Sequence, residues 1–145
     1  MGKKTTASSE FVLDGSVTLA WFFEDETSDY AESVQNSLEK ATAVVPSLWR
    51  LEIANALVVG ERRKRSTEAK NALFLSLLST LPISPDGETW LRAWQESMTL
   101  ARSHALSVYD AAYLELALRR GLPLATLDGP LQAAAKAVGV AAYSP

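Results

Sequence analysis

The sequence predicts a three-layer α/β/α fold in which a short central parallel sheet is covered by helices on both faces. Three observations predict it. Short apolar runs of strand length recur along the chain, each closed by Asp, Pro or Gly. Longer amphipathic segments of helical period separate them. Strands alternating with helices are the pattern of parallel pairing, because a parallel crossover needs a helix-sized connection. The 145 residues, 48% hydrophobic and 21% charged, suffice for one globular domain with a substantial core.

Residues 1–10 are polar and aperiodic, and read as a flexible arm ahead of a domain spanning 11–145. Gly2 with Thr6 matches a myristoylation pattern only formally, and no apolar segment follows that would make a signal peptide. Phe11-Val12-Leu13-Asp14 is a short strand ending in a carboxylate, and Asp14-Gly15 turns the chain. Ser16 is the expected N-cap of a helix over Val17 to Phe23, whose apolar run lacks strand alternation. After the acidic stretch Glu24, Asp25, Glu26 and Asp29, a helix places Tyr30, Val34 and Leu38 on one face. Ala43 to Val45 is a second strand, closed by Pro46.

From Ser47 to about Lys64 the chain is helical, and its middle, Leu51 to Val59, is apolar nearly all round, the mark of a buried helix. Glu52 on it therefore needs a cationic partner, a hydrogen-bond network or a cleft. Ser66 and Thr67 open a further helix through Leu78, Leu81 to Ile83 forms a third strand, and Glu88 to His104 a helix carrying Trp90, Trp94 and Met98. The four tryptophans sit among aliphatic residues and read as core or interface. In Leu106 to Asp128, Ser107 caps a helix with Asp110 as the capping-box partner, and Gly121 and Pro123 end it. Asp110 shares the inward face with Tyr113, Leu114 and Ala117, while Glu115 and Arg119 pair on the opposite side. Leu124 to Leu127 is a strand ending at Asp128, Pro130 to Val138 a last helix, and Val140 to Tyr143 a possible last strand.

Absent residues narrow the chemistry. There is no cysteine, which excludes disulfides, thiol nucleophiles and thiolate zinc, and fits a reducing cytoplasm. The single histidine, His104, cannot build a histidine metal site and reads as a helix-end residue. Ser16 and Ser107 lack a nucleophile-elbow context. No apolar run reaches the ~18 residues of a membrane span. The net charge of −3 does not advertise nucleic-acid binding, although Arg62, Arg63, Lys64 and Arg65 form either a solvated helix end or a track for RNA phosphates.

Sites in parallel α/β sheets form beyond the carboxyl ends of the strands. Asp14 and Asp128 end strands, Asp110 begins a helix and Glu52 lies early in one, so the four can gather on one edge. Singly, each has a structural role open to it as cap, turn or salt-bridge partner. Gathered, they repel by ~4 kcal/mol per pair at about 4 Å, so the cluster calls for a cation. With only oxygen ligands, that cation is Mg²⁺ or Mn²⁺, or else Ca²⁺, a site suited to phosphoryl chemistry.

Val12-Leu13-Asp14-Gly15-Ser16-Val17, Leu51-Glu52-Ile53-Ala54-Asn55-Ala56-Leu57, Tyr109-Asp110-Ala111-Ala112-Tyr113 and Thr126-Leu127-Asp128 resemble, in order and spacing, the four acidic motifs of PIN-domain ribonucleases. They are most similar to the VapC-type toxins of toxin–antitoxin pairs. The resemblance implies a metal-dependent endoribonuclease with Asp14, Glu52, Asp110 and Asp128 as catalytic metal ligands. Ser16, Asn55 and Thr126 become the polar groups behind them. It also implies an RNA substrate, Mg²⁺ or Mn²⁺, a cognate VapB-type antitoxin and a homodimer. Gly15 departs from the alanine or threonine usual there and should loosen the turn. Two rivals are a PIN fold kept as a silent interaction module and a phosphoacceptor receiver domain. The receiver needs a late lysine near its site, and Lys136, the only lysine after Lys70, lies in the final helix.

Overall fold

The computed structural model describes residues 9–145, so most of the expected arm, with its Gly2 pattern, lies outside the described residues. Four parallel strands form one sheet in the order β3-β2-β1-β4, with β1 at Glu10–Leu13, β2 at Thr42–Val45, β3 at Ile83–Pro85 and β4 at Leu124–Ala125. The helices are α1 (Gly15–Ala20), α2 (Asp29–Ser37), α3 (Trp49–Arg62), α4 (Glu68–Thr80), α5 (Thr89–Arg92), α6 (Met98–His104), α7 (Val108–Arg120) and α8 (Gly129–Ala137). Between α5 and α6, Ala93–Ser97 continues as a wider π-helical turn. The expected α/β/α layering is thus present.

The central strands are apolar at every position that counts. Phe11, Val12 and Leu13 of β1 and Val44 and Val45 of β2 are buried, as a strand covered on both faces must be. Phe11 pairs with Ala43, and Leu13 with Ala125, which sets the register of both neighbours of β1. The carboxy-terminal segment adds only a single bridge, Ala142 to Leu124, where a strand over Val140 to Tyr143 was expected. Tyr143 instead stacks on Phe11 with ring centroids 3.8 Å apart and donates its hydroxyl to Ser37.

Several local expectations shift. Asp14, not Ser16, occupies the N-cap position, and α1 starts at Gly15. The third strand begins at Ile83, where it can pair with Ala43, whereas Leu81 and Pro82 lead into it. Helix α3 is not buried all round. Trp49, Ile53, Leu57 and Gly60 face inward, but Leu51 is 75% exposed and Val58 is also open, so only one stripe of α3 meets the core. The tryptophans divide. Trp49 is core, whereas Trp90 and Trp94 are 83% and 86% exposed.

The largest correction concerns α7. Ser107 caps it as expected, accepting from the Asp110 amide at 3.0 Å, and Gly121 ends it in the left-handed region at φ +64. Yet every residue from Ala111 to Ala117 is buried, including Glu115. α7 is sandwiched between the sheet and the α5–α6 segment, so its supposed outer face is interior. The Glu115–Arg119 pair is therefore inside the protein, extended to Asp86 by Arg119 at 2.8 Å.

Candidate active site

Strand order fixes where a site can form. The chain runs from β1 to β2 and β3 on one side, then returns to β4 on the other side of β1. The crevice beyond the carboxyl ends of β1 and β4 is thus the switch point of the sheet, where such folds bind ligands. Asp14 leaves β1 at this point, and its amide donates to Ala125 O of β4 at 3.0 Å.

Two hydroxyls hold the Asp14 carboxylate. Ser16 Oγ donates to Oδ2 at 2.6 Å and Thr126 Oγ1 donates to the same oxygen at 2.7 Å. Each hydroxyl also accepts a backbone amide, Ser16 from Leu127 at 2.9 Å and Thr126 from Asp128 at 3.0 Å. The proton of each hydroxyl is thereby aimed at Asp14, and the end of β4 is tied to the start of α1. Ser16 and Thr126, two of the polar groups the resemblance implies, thus both contact the Asp14 carboxylate. Asn55 does not. It is exposed on α3, and among the described residues it makes no hydrogen bond with the four acids.

The other acids come from three helix starts. Asp128 caps α8, accepting from the Leu131 amide at 2.9 Å. Asp110 lies in the first turn of α7, and Glu52 in the first turn of α3. Glu52 Oε1 accepts the hydroxyl of Tyr113, a residue read from the sequence only as core. The local signal was the position of Tyr113 three residues after Asp110, on the same stripe of α7; its partner is 61 residues away. Of the basic run, Arg62, Arg63 and Lys64 are exposed and outside the ion pairs of the described residues. Arg65 folds back onto Asp25 and Glu26 at 2.6 and 2.8 Å, with its guanidinium 4.1 Å above the Phe23 ring.

No ion pair among the described residues involves any of the four acids. Burial pushes the Asp14 carboxyl up, more than its hydrogen bonds from Ser16 and Thr126 pull it down. Burial likewise raises Glu52; the Tyr113 bond opposes this, and the charges of Asp14 and Asp110 add to it. Asp110 is raised by burial and then by the charges of Asp14 and Asp128. Burial and the nearby carboxylates push the Tyr113 phenol far up, so it remains a donor. Among the described residues, no positive charge forms an ion pair within the field that Asp14, Glu52 and Asp110 share.

All four are hard oxygen donors, the set that Mg²⁺ or Mn²⁺ takes. Among the described residues no three of them converge into a closed chelate. Mg²⁺ does not need one, since it binds through one or two carboxylates and keeps several waters. Asp14 with Asp110 or Glu52 beside it fits that demand.

A model of the PIN domain matches residues 11–137. This chain belongs to the PIN-domain family. The match takes in Asp14, Glu52, Asp110 and Asp128 together. The PIN domain is 30% identical over 126 residues to ribonuclease VapC3 of Pyrobaculum aerophilum, covering 84% of this chain and 92% of that protein. Among solved structures it is similar to PAE2754 of Pyrobaculum aerophilum, at 26% identity and a TM-score of 0.62, over 88% of this chain and 80% of the other. FitAcB of Neisseria gonorrhoeae shares the fold at 18% identity and a TM-score of 0.57, over 93% and 97% of the two chains.

Proposed function

We propose that this PIN domain is the ribonuclease toxin of a type II toxin–antitoxin pair, an endonuclease that hydrolyses RNA phosphodiester bonds with a divalent metal, Mg²⁺ or Mn²⁺. The observation that carries the reading is Asp14, buried at the β1/β4 switch point and coupled to Glu52 and Asp110, with Asp128 coupled in turn to Asp110 and no ion-pair partner for any of them among the described residues. Such a cluster costs stability and has no counter-charge among the described residues, which favours a functional site over a structural one. The relative named as a ribonuclease supports the same reading.

Asp14, with Asp110 or Glu52 beside it, would hold the metal, which would supply counter-charge to the phosphate and make a bound water more acidic. The chain does the positioning. Ser16 and Thr126 pin Asp14 so that its carboxylate does not reorganise as charge develops. Asp110 and Asp128 sit at the positive ends of α7 and α8, which lowers the cost of gathering anions there. Arg62, Arg63 and Lys64 extend the reading to an RNA phosphate track, whereas Arg65 is committed to Asp25 and Glu26.

The exposed apolar residues Leu51, Val58, Leu73 and Leu77 on α3 and α4, and Trp90, Leu91 and Trp94 around α5, leave surfaces for a VapB-type antitoxin and a second copy of the chain. No helix among the described residues is long and apolar enough to cross a membrane.

The test compares cleavage of bacterial total RNA by purified wild type, Asp14→Asn and Asp110→Asn, with Mn²⁺ or with EDTA. Both variants should fold and lose roughly 10³-fold or more in rate, and EDTA should silence the wild type. Full cleavage by a folded Asp110→Asn protein would return Asp110 to a helix-start role. A wild type inert with every metal would leave the fold as an interaction module.

A further inference from the structure

We propose that Tyr113 is a positioning residue of the acidic site, whose buried hydroxyl holds Glu52 in a cluster that would otherwise expel it. The inference rests on the reading of Glu52 as a site carboxylate.

Tyr113 has no exposed surface and sits in the middle of the sandwiched helix α7. Its hydroxyl reaches the junction of three elements. It donates to Glu52 Oε1 on α3, and it lies 3.8 Å from the point where a Cβ on Gly15 of α1 would stand. Ile53 of α3 closes the same gap, its Cδ1 3.7 Å from that point. A buried phenol needs an acceptor, and Glu52 is the one it has among the described residues.

The dependence also runs the other way. Glu52 is partly buried on a helix whose adjoining face is open to solvent, and its recorded hydrogen bond is the one from Tyr113. Its partial burial, and after that the charges of Asp14 and Asp110, oppose its staying ionised there. A glutamate has three side-chain torsions with which to escape such repulsion into water. The Tyr113 hydroxyl removes that freedom, because its bond to Oε1 is strongest when Glu52 is ionised and turned inward. The ring alone does not do this, since a phenylalanine fills the same space without a donor.

The spacing within α7 has a consequence for the site. Asp110 and Tyr113 are three residues apart and on one stripe. One turn of helix thus delivers a carboxylate to the crevice and the clamp for a second carboxylate carried by α3. Displacing that turn would move two acids, not one.

The test uses Tyr113→Phe, Glu52→Ala and the double variant, with a short single-stranded RNA that wild type cleaves and with Mn²⁺ alone as the metal probe. Tyr113→Phe should stay folded, lose about 10–100-fold in kcat with KM for RNA little changed, and need correspondingly more Mn²⁺ to reach the midpoint of its thermal shift. In the Glu52→Ala background, Tyr113→Phe should add nothing to either loss. Unchanged kcat and Mn²⁺ midpoint in Tyr113→Phe, or losses that multiply in the double variant, would overturn the proposal. If Glu52→Ala alone changes neither cleavage nor Mn²⁺ response, Glu52 is not a site residue, and the failure lies in the parent reading. Should Tyr113→Phe not fold, Glu52→Asp provides the same comparison. One methylene shorter, it keeps the charge, leaves Tyr113 in place and withdraws the carboxylate from the hydroxyl. It should show the same kcat loss, and wild-type kcat in Glu52→Asp would overturn the proposal.

Discussion

The two ends of α7 treat buried charge in opposite ways. At its amino end, Asp110 faces Asp14 and Asp128 with no ion-pair partner among the described residues, and burial and repulsion raise its carboxyl above the usual range. At its carboxyl end, Arg119 donates to Asp86 at 2.8 Å and to Glu115 at 2.7 Å, both acids being buried. Burial alone would raise Asp86, but the hydrogen bond from Arg119, the Glu88 amide and the Arg119 charge outweigh it and hold Asp86 below the usual range. The same residue chemistry is thus completed at one end and left open at the other. The closed end fastens α7 to the loop after β3, and the open end leaves charge for a ligand to neutralise.

Breaking the closed end should give the largest change in stability. Arg119→Met leaves Glu115 buried without its counter-charge and Asp86 with only Arg120, at 3.8 Å, which should cost about 3–5 kcal/mol. That corresponds to a fall in Tm on the order of 10 °C, read by thermal melting. Cleavage below the new melting range should survive. An Arg119→Met protein as stable as wild type would mean that the network is only geometric.

The open end should respond to metal instead. Mn²⁺ binds the folded cluster in preference to the unfolded chain, adding about 2.7 kcal/mol at a free concentration roughly a hundred times Kd. Asp14→Asn should melt at or above wild type in metal-free buffer, because it removes one buried repelling charge, and should gain little from Mn²⁺. If it melts well below wild type without metal, Asp14 is structural and the contrast between the two ends collapses.

Protons are the weaker probe of the same difference. Asp14, Glu52 and Asp110 all bind a proton more tightly folded than unfolded. The stability each contributes is present below its unfolded value and lost as pH rises through its raised folded value. Asp86 has the opposite sign, its contribution being present above its unfolded value and lost as pH falls through its lowered folded one. Metal-free wild type should therefore melt higher as pH falls through the raised folded values of these acids, still above the range where Asp86 is protonated. Saturating Mn²⁺ should reverse the slope, because protons then compete with metal. A rising slope that survives in the Asp14→Asn/Asp110→Asn double variant would assign it to other groups.

The smallest expected effect concerns the turn that carries Asp14. A Cβ on Gly15 would meet Ile53 Cδ1 at 3.7 Å and the Tyr113 hydroxyl at 3.8 Å, both ordinary contacts. Gly15→Ala should therefore stabilise the domain by about 0.4–1 kcal/mol, through the unfolded chain, with cleavage kept. A loss of cleavage there would mean that the methyl shifts Tyr113 from Glu52.

What the chain determined by itself was local. The apolar run ending at Asp14, the Ser107 cap and the left-handed Gly121 all depend on neighbours a few residues away, so β1, α7 and α8 could be read directly, whereas β4 is only Leu124–Ala125, half the strand expected up to Asp128. The four acidic positions were legible for the same reason, since each sits at the end of an element.

Only the tertiary structure decided which groups face one another. Glu115 and Arg119 look like a surface i,i+4 pair until the α5–α6 segment covers them, and nothing within one turn records that cover. Arg65 belongs to a basic run in sequence, yet Asp25 and Glu26, some forty residues earlier, claim it. Asn55 has the composition of a site residue, but the rotation of α3 against the sheet turns it to solvent. Tyr113 and Glu52 meet across two helices, and the energy of that bond arises only when burial removes the water each would otherwise bind. Helix periods and caps are set by short-range sterics and hydrogen bonds, whereas charge compensation is set by whatever the fold brings within a few ångströms.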